Sequence, residues 1–305
     1  MLQENGIITD APIRVSVGIT AHNEEANIGK LLERMLAQRL ITVELGEIIV
    51  VISGCTDNTE GVVREWLAQD TRIQLLVQEK REGKASAINL FMRHAQEKVL
   101  VLCSADLLPE YDALEKLVAP LADPEMGMTS CRPVPVNDPD TFMGFGVHLL
   151  WDLHHQINLN GFKAGEMTAF RKVFERIPYH TAVDEASVEP VVRGQGYQVQ
   201  YVPEAIVYNK GAETVDDFLR QRRRIYAGHL DVQDMLGYKV ATMSGLKILG
   251  LLLRNLDWRP KQFVWTWSFV VLEAYGRFLG RRDYKNRRDH TVWEIAQTTK
   301  ELEIS

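Results

Sequence analysis

Between Arg14 and Thr20, Val15, Val17 and Ile19 alternate with polar or small residues, the two-residue period of a strand. Asn23 can then cap a helix that carries Glu24 and Glu25 in its first turn. Ile28, Leu31, Leu32, Met35 and Leu36 fall on one face of that helix. A second unit follows the same plan. Glu47 to Ser53 is a continuous apolar run of the buried-strand kind, Gly54-Cys55-Thr56-Asp57 forms a turn, and a helix carries Val62, Val63, Trp66 and Leu67. The pattern predicts a third strand over Ile73 to Val77, a helix from about Gly83, and a fourth strand over Val99 to Cys103.

Strands alternating with helices imply an α/β fold with a doubly wound, mostly parallel twisted sheet whose ligand site lies at the strand carboxyl ends. No Gly-x-Gly-x-x-Gly follows the first strand, which argues against a dinucleotide-dependent dehydrogenase. Beyond Pro109 the pattern loosens. It gives a helix around Asp112 to Leu121, a Pro- and Asp-rich loop between Arg132 and Asp140, and an aromatic, His-bearing stretch from Phe142 to Phe162 that is expected to serve the acceptor side. Gly196 to Asn209 reads as two short strands broken at Pro203, and Val215 to Leu236 as one long helix with a basic patch.

Composition narrows the function classes. The 305 residues are 46% hydrophobic and 25% charged, which fits a folded chain with a sizeable core. A net charge of -6 argues against general nucleic-acid binding, which needs a basic face. Cys55, Cys103 and Cys131 form an odd set without metal-type pairing, which fits a reducing compartment. The first ten residues lack a basic start followed by an apolar core, so a cytoplasmic location is expected.

The candidate chemistry sits at the strand ends. In order these carry Thr20-Ala21-His22-Asn23-Glu24-Glu25, Ser53-Gly54-Cys55-Thr56-Asp57-Asn58-Thr59, Glu82-Gly83-Lys84-Ala85-Ser86-Ala87-Ile88-Asn89 and Ser104-Ala105-Asp106. Asp184-Glu185 and Gln221-Arg222-Arg223-Arg224-Ile225 follow. Each motif alone is weak, but their order on the predicted sheet resembles the inverting family 2 glycosyltransferases of GT-A fold, over about Arg14 to His229. That resemblance implies membrane-associated polysaccharide or lipid-linked sugar transfer.

The resemblance implies that the first two loops form the nucleotide pocket, with Thr20, His22 and Glu24 bordering base and ribose. Ser53 stands where the family commonly has a uracil-contacting aspartate, and Lys84 would reach base or phosphate. Asp106, beside Ala105, is the remaining aspartate of an Asp-x-Asp motif and would hold Mg²⁺ or Mn²⁺ on the diphosphate. Asp184-Glu185 resembles the family's Glu-Asp pair in reversed order, which puts Glu185 in the general-base position. Gln221 to Arg224 resembles a Gln-x-x-Arg-Trp motif with Ile225 in place of Trp. One or two of Arg222, Arg223 and Arg224 are expected to grip diphosphate and the rest to be solvated. The residues alone also allow plainer readings. Asn23, Glu24, Glu25 and Asp106 suit helix or turn caps, Lys84 a surface cation, Asp184 and Glu185 a solvated helix start, and His229 a core or surface histidine.

The expected organisation is a GT-A domain over residues 1–236 and a C-terminal helical segment over 237–305. Lys247 to Leu253 and Phe263 to Leu272 are apolar but short of the ~20 residues that a span requires. Trp265, Trp267 and Phe269, followed by Arg277, Arg281, Arg282, Lys285, Arg287 and Arg288, suit peripheral contact with the inner membrane face; a core or dimer helix is the alternative. The function expected is inverting transfer from a UDP- or GDP-sugar to a hydroxyl on a lipid-linked or surface-glycan acceptor. The competing readings are a catalytically silent nucleotide-sugar binder at the membrane and a sugar-1-phosphate nucleotidyltransferase.

Overall fold

The computed structural model describes residues 11–178, 184–237, 245–288, 299 and 302, without the side chains of 184–186, 236, 246 and 247. Its first half follows the predicted alternation: β1 (Ile13–Ala21), α1 (Ile28–Leu36), β2 (Val43–Ser53), α2 (Thr59–Leu67), β3 (Ile73–Gln78), α3 (Lys84–His94) and β4 (Val99–Ser104). β5 (Leu107–Pro109), α4 (Ala113–Val118) and a 3₁₀ turn (Ala119–Ala122) come next. They are followed by β6 (Met126–Pro135), α5 (Phe142–Asn158), β7 (Met167–Arg171), α6 (Asp184–Gly194) and β8 (Gln198–Asn209). Three helices complete the described chain: α7 (Val215–Leu236), α8 (Gly245–Arg254) and α9 (Pro260–Lys285).

All eight strands form one sheet in the order β3-β2-β1-β4-β7-β6-β8-β5. The β3-β2-β1-β4 half is parallel, whereas β7 runs antiparallel to both β4 and β6, and β5 antiparallel to β8. The sheet is therefore mixed beyond β4, where the sequence pattern loosens. Two core layers cover its faces. Ile28, Leu31, Leu32 and Met35 of α1, Val63 of α2 and Leu114 and Leu117 of α4 pack on one side. Ile88, Phe91 and Met92 of α3 and Val188 and Val192 of α6 pack on the other.

Several expectations are corrected. Asn23 does not cap α1, which starts five residues later; it takes a left-handed backbone (φ 53°), and its amide exchanges hydrogen bonds with Thr56. The Pro-rich segment from Arg132 begins as strand, because β6 runs to Pro135. Its prolines are tolerated because β7 pairs only with Met128 to Ser130, so no partner on that side needs their missing N–H. β8 is one strand, not two: its pairing with β6 jumps from Ser130↔Tyr201 to Arg132↔Ile206, leaving the Pro203 region as a bulge. The helix expected over Asp112 to Leu121 splits into α4 and the 3₁₀ turn.

The long helix appears as expected. Thr214 caps α7 by accepting from the Asp217 N–H (3.2 Å), Asp216 and Asp217 favour its positive end, and Gly237 closes it at φ 63°. α9 lies against α7, and a Cβ at Gly276 or Gly280 would stand 2.8 Å from the Arg222 Cβ or 2.7 Å from the Arg223 carbonyl oxygen. That close approach seats two ion-pair sets. Arg222 meets Glu273 at 2.6 Å, and Arg223 grips Asp283 through two hydrogen bonds of 2.9 Å. Phe269 of α9 is buried with Met143 of α5 and Phe218 of α7, while Trp265 packs edge-on against Phe142 and Phe145. These two aromatics thus face the protein, and the outward apolar side chains of α9 are Val264, Val271, Tyr275 and Phe278.

Asp283 is buried, so removing it leaves the Arg223 guanidinium without its bidentate partner. Asp283→Ala is expected to lower unfolding free energy by on the order of 3 kcal/mol in urea denaturation, and Arg223→Met with Asp283→Leu to recover part of it. A loss below measurement error would show that the pair does not hold α9 in place.

Candidate functional site

The carboxyl ends of β1, β2 and β4 open into a cavity of about 750 Å³. It occupies the crevice where an α/β sheet reverses its strand order, as the parallel first half implies. Thr20, His22, Glu24, Ser53, Lys84, Ala105 and Asp106 line its near side, and Gln221, Arg222, Arg223 and Arg224 line it from α7. The structure thus gathers these sequence-selected residues around one space. Asp184 and Glu185 begin α6, but their side chains lie outside the described residues.

The first two loops brace each other. His22 Nδ1 lies 2.7 Å from the Ser53 carbonyl oxygen. A carbonyl only accepts, so Nδ1 carries the proton. The Glu24 N–H donates to Thr59 Oγ1 (2.8 Å), and its buried carboxylate accepts from Asn27 Nδ2 (2.9 Å). Burial would raise the Asp57 carboxyl, but the Thr59 hydroxyl, the Thr59 N–H and the Glu25 N–H outweigh it and hold the group below its ordinary value. Ser53 is turned toward a third loop: its hydroxyl donates to the Lys80 carbonyl (3.3 Å) and accepts the Glu82 N–H (3.2 Å). Where an aspartate would offer charge to a base, this serine positions the segment that carries Arg81 into the cavity.

Gly83 reaches φ 91° immediately before α3, a conformation that costs side-chain-bearing residues energy. The turn places Lys84 at the first position of an eleven-residue helix whose opening turn continues with Ala85, Ser86 and Ala87. Small side chains and the positive helix end suit an anion. Asp106 lies beyond β4, where the Ala105 N–H donates to the Thr20 carbonyl (3.1 Å) and ties the strand ends together. Among the described residues, no group of three or more His, Cys, Asp or Glu side chains could enclose a metal. One accessible carboxylate beside an anion-suited helix end nevertheless fits Mg²⁺ or Mn²⁺ bound chiefly through phosphate and water oxygens.

The far wall holds groups that the sequence did not single out as binding residues. Lys163 and Glu166 enter from the loop after α5, and Glu273 and Arg277 from α9. Glu273 bridges Arg222 and Arg277, the latter at 2.8 Å. Desolvation first, then Arg222, pushes the Lys163 ammonium down to about 8, and burial with these cations also holds His229 well below its ordinary value. His229 is a buried histidine, in keeping with the plainer reading of it. The expectation of solvated arginines is corrected: Arg222 and Arg223 are tied to carboxylates of α9. The one signal in the sequence was Glu273 and Arg277 standing one turn apart beside an apolar run. Lys163 and Glu166 lie in an aperiodic segment and gave none.

Residues 16–189 match the family model Glycosyl transferase family 2, and residues 191–279 match Glycosyl transferase family group 2. The poly-beta-1,6-N-acetyl-D-glucosamine synthase of Staphylococcus aureus is 24% identical over 226 residues, 70% of this chain and 54% of the relative. The dolichyl-phosphate beta-glucosyltransferase ALG5C of Trichomonas vaginalis is 27% identical over 123 residues, 38% of this chain and 36% of the relative. The chain thus spans about a third to a little over half of the curated relatives it matches. Among solved structures, the mannosyltransferase PcManGT from Pyrobaculum calidifontis, in complex with GDP-Man and Mn²⁺, superposes with a TM-score of 0.64 at 20% identity, covering 92% of this chain and 89% of that one. Glucosyl-3-phosphoglycerate synthase from Mycobacterium tuberculosis, with Mn²⁺ and UDP, gives 0.52 at 17% identity, covering 74% and 80%. These likenesses establish the GT-A fold, and with a family model matching more than half of its length, this chain belongs to glycosyl transferase family 2.

Proposed function

We propose that this chain transfers a sugar from a nucleotide-diphospho-sugar to an acceptor hydroxyl, with inversion at the anomeric carbon. The observation that carries the reading is one cavity that joins the three strand-end loops, the Lys84 helix start, Asp106 and the α7 arginines inside the family match. Thr20, His22 and Glu24 border the base and ribose, on a loop pair already rigid through hydrogen bonds. Lys84, aided by Arg81, balances diphosphate charge at the start of α3. Asp106 would hold Mg²⁺ or Mn²⁺, which, when bound, stabilises charge on the departing diphosphate. Glu185 accepts the acceptor proton as the hydroxyl attacks from the face opposite the leaving group. The names of the relatives support a lipid-linked or glycan acceptor, and the neighbours solved with GDP-Man and with UDP support a GDP- or UDP-sugar donor.

The same reading places the chain peripherally on a membrane. No helix among the described residues is long and apolar enough to cross one. Leu249, Leu253, Val264, Val271 and Phe278 are nevertheless exposed on α8 and α9, where Arg254, Lys261, Arg281 and Arg282 also lie. Such a face suits a headgroup layer of anionic lipid.

Thermal-shift titration with UDP, GDP and CDP and their sugars tests the donor site. One base is expected to raise the melting temperature, more so with Mn²⁺, and Asp106→Asn to abolish the Mn²⁺ increment alone. No shift with any nucleotide would overturn the donor reading. Glu185→Gln is expected to keep the nucleotide shift while transfer falls by about a hundredfold or more; unchanged turnover would remove Glu185 from the mechanism. Vesicle flotation should recover the chain with anionic but not zwitterionic lipid, less so as salt rises, and recovery from neither would rule out the membrane face.

A further inference from the structure

Glu24, on the cavity wall, is held by two distant parts of the chain. Its backbone is fixed locally: the N–H donates to Thr59 Oγ1 (2.8 Å), and the carbonyl accepts the N–H groups of Asn27 and Ile28 at 3.0 and 2.9 Å. Its carboxylate accepts from Asn27 Nδ2 at 2.9 Å. Asn27 directly precedes α1, yet its side chain makes no capping hydrogen bond to that helix. The other end of the amide is engaged by a residue 275 positions further along, since the Leu302 N–H donates to Asn27 Oδ1 (3.0 Å). Lys30, in the first turn of α1, donates to the Leu302 carbonyl (3.0 Å). Both backbone groups of Leu302 are thus taken by side chains at the start of α1.

Glu24, Asn27 and Leu302 are all buried. In that setting each contact matters, because a buried polar group that loses its partner does not regain water. The chemistry also permits one orientation of the amide. A backbone N–H only donates and an ionised carboxylate only accepts, so Oδ1 faces Leu302 and Nδ2 faces Glu24. Leu302 therefore decides which end of the Asn27 amide the carboxylate meets. Beyond α9, Arg288 and Thr299 also stand on the cavity wall. Leu302 lies outside both stretches of the chain that match the family models.

We infer that Asn27 and Leu302 are positioning residues of the donor site: Leu302, docked on Asn27 and Lys30, orients the amide that aims the Glu24 carboxylate at the hydroxyl and N–H donors of a nucleoside. The inference rests on the donor reading above, in which Glu24 borders base and ribose. It extends that site to a residue that belongs to none of the strand-end motifs. A carboxylate aimed in this way serves the nucleoside and leaves the diphosphate to Lys84 and Arg81, so the two parts of the donor respond differently when the aim is lost.

The test is calorimetric titration of the full chain with UDP, GDP, CDP and pyrophosphate. Leu302→Pro removes the N–H that Asn27 accepts, whereas Asn27→Asp keeps that acceptor and replaces the donor to Glu24 by an oxygen. Each is expected to weaken the nucleotide that the unaltered chain binds tightest by about tenfold, the effect of one hydrogen bond to a charged group. Pyrophosphate binding should stay unchanged in both. Combined, the two should weaken the nucleotide no more than the larger does alone, because both act on one contact. Lys30→Met, at an exposed position off the cavity wall, should weaken it by about threefold. Leu302→Met, which keeps the N–H and the apolar volume, should keep the affinity. Undiminished nucleotide affinity in Leu302→Pro and Lys30→Met, a parallel loss of pyrophosphate, or additive losses in the double variant would overturn the inference. Nucleotide binding that is indifferent to position 302 removes this inference alone; an unaltered chain that binds none of the three nucleotides removes the donor reading with it.

Discussion

The far side of the cavity depends on how closely α9 can approach α7. Gly276 and Gly280 stand one helical turn apart, and any side chain there would strike Arg222 or the backbone of Arg223. Their absence of side chains brings Glu273 and Asp283 within reach of two successive arginines, which a wider helix spacing would leave in solvent. Once seated, the carboxylates of Glu273 and Asp283 are largely withdrawn from solvent, so breaking the pairs leaves charge poorly solvated. The docking of α9 and the seating of Arg222 and Arg223 against it follow from this one contact.

Along the cavity the arrangement follows from dielectric and charge. The strand-end loops satisfy one another through short hydrogen bonds, so Thr20, His22 and Glu24 stand on a frame that is already in place. Ser53 spends its hydroxyl on the loop that brings Arg81 inward, which exchanges a direct charge at the base for control of a neighbouring cation. At the far wall desolvation, and then the charge of Arg222, lowers the proton affinity of Lys163.

The sequence carried the parallel half of the sheet well. Buried parallel strands read as apolar runs, and the helices between them show a clear apolar face, so the order of β1 to β4 and α1 to α3 was legible, although β2 begins at Val43, ahead of the run from Glu47, and α1 only at Ile28. The strands of the mixed half were harder. β6 carries Pro133 and Pro135, which mark a loop unless the neighbouring strand is known to stop short, and β7 is a five-residue piece without alternation. Asn23 and Glu24 looked like a helix start because cap chemistry and turn chemistry use the same residues. Only the partner loop at Thr56 and Thr59 distinguishes them.

What the chain by itself determined is local: where apolar periodicity makes strands and helices, and which polar residues end them. From these the strand-end motifs followed, and with them the near half of the site. What only the tertiary structure decided is the pairing of distant segments. Arg222, Arg223 and Arg224 look alike in sequence, yet their roles differ because Glu273 and Asp283, far along the chain, face two of them. Lys163 likewise has no motif. Its character comes from burial beside other cations, a property of the folded arrangement that periodicity and spacing do not encode.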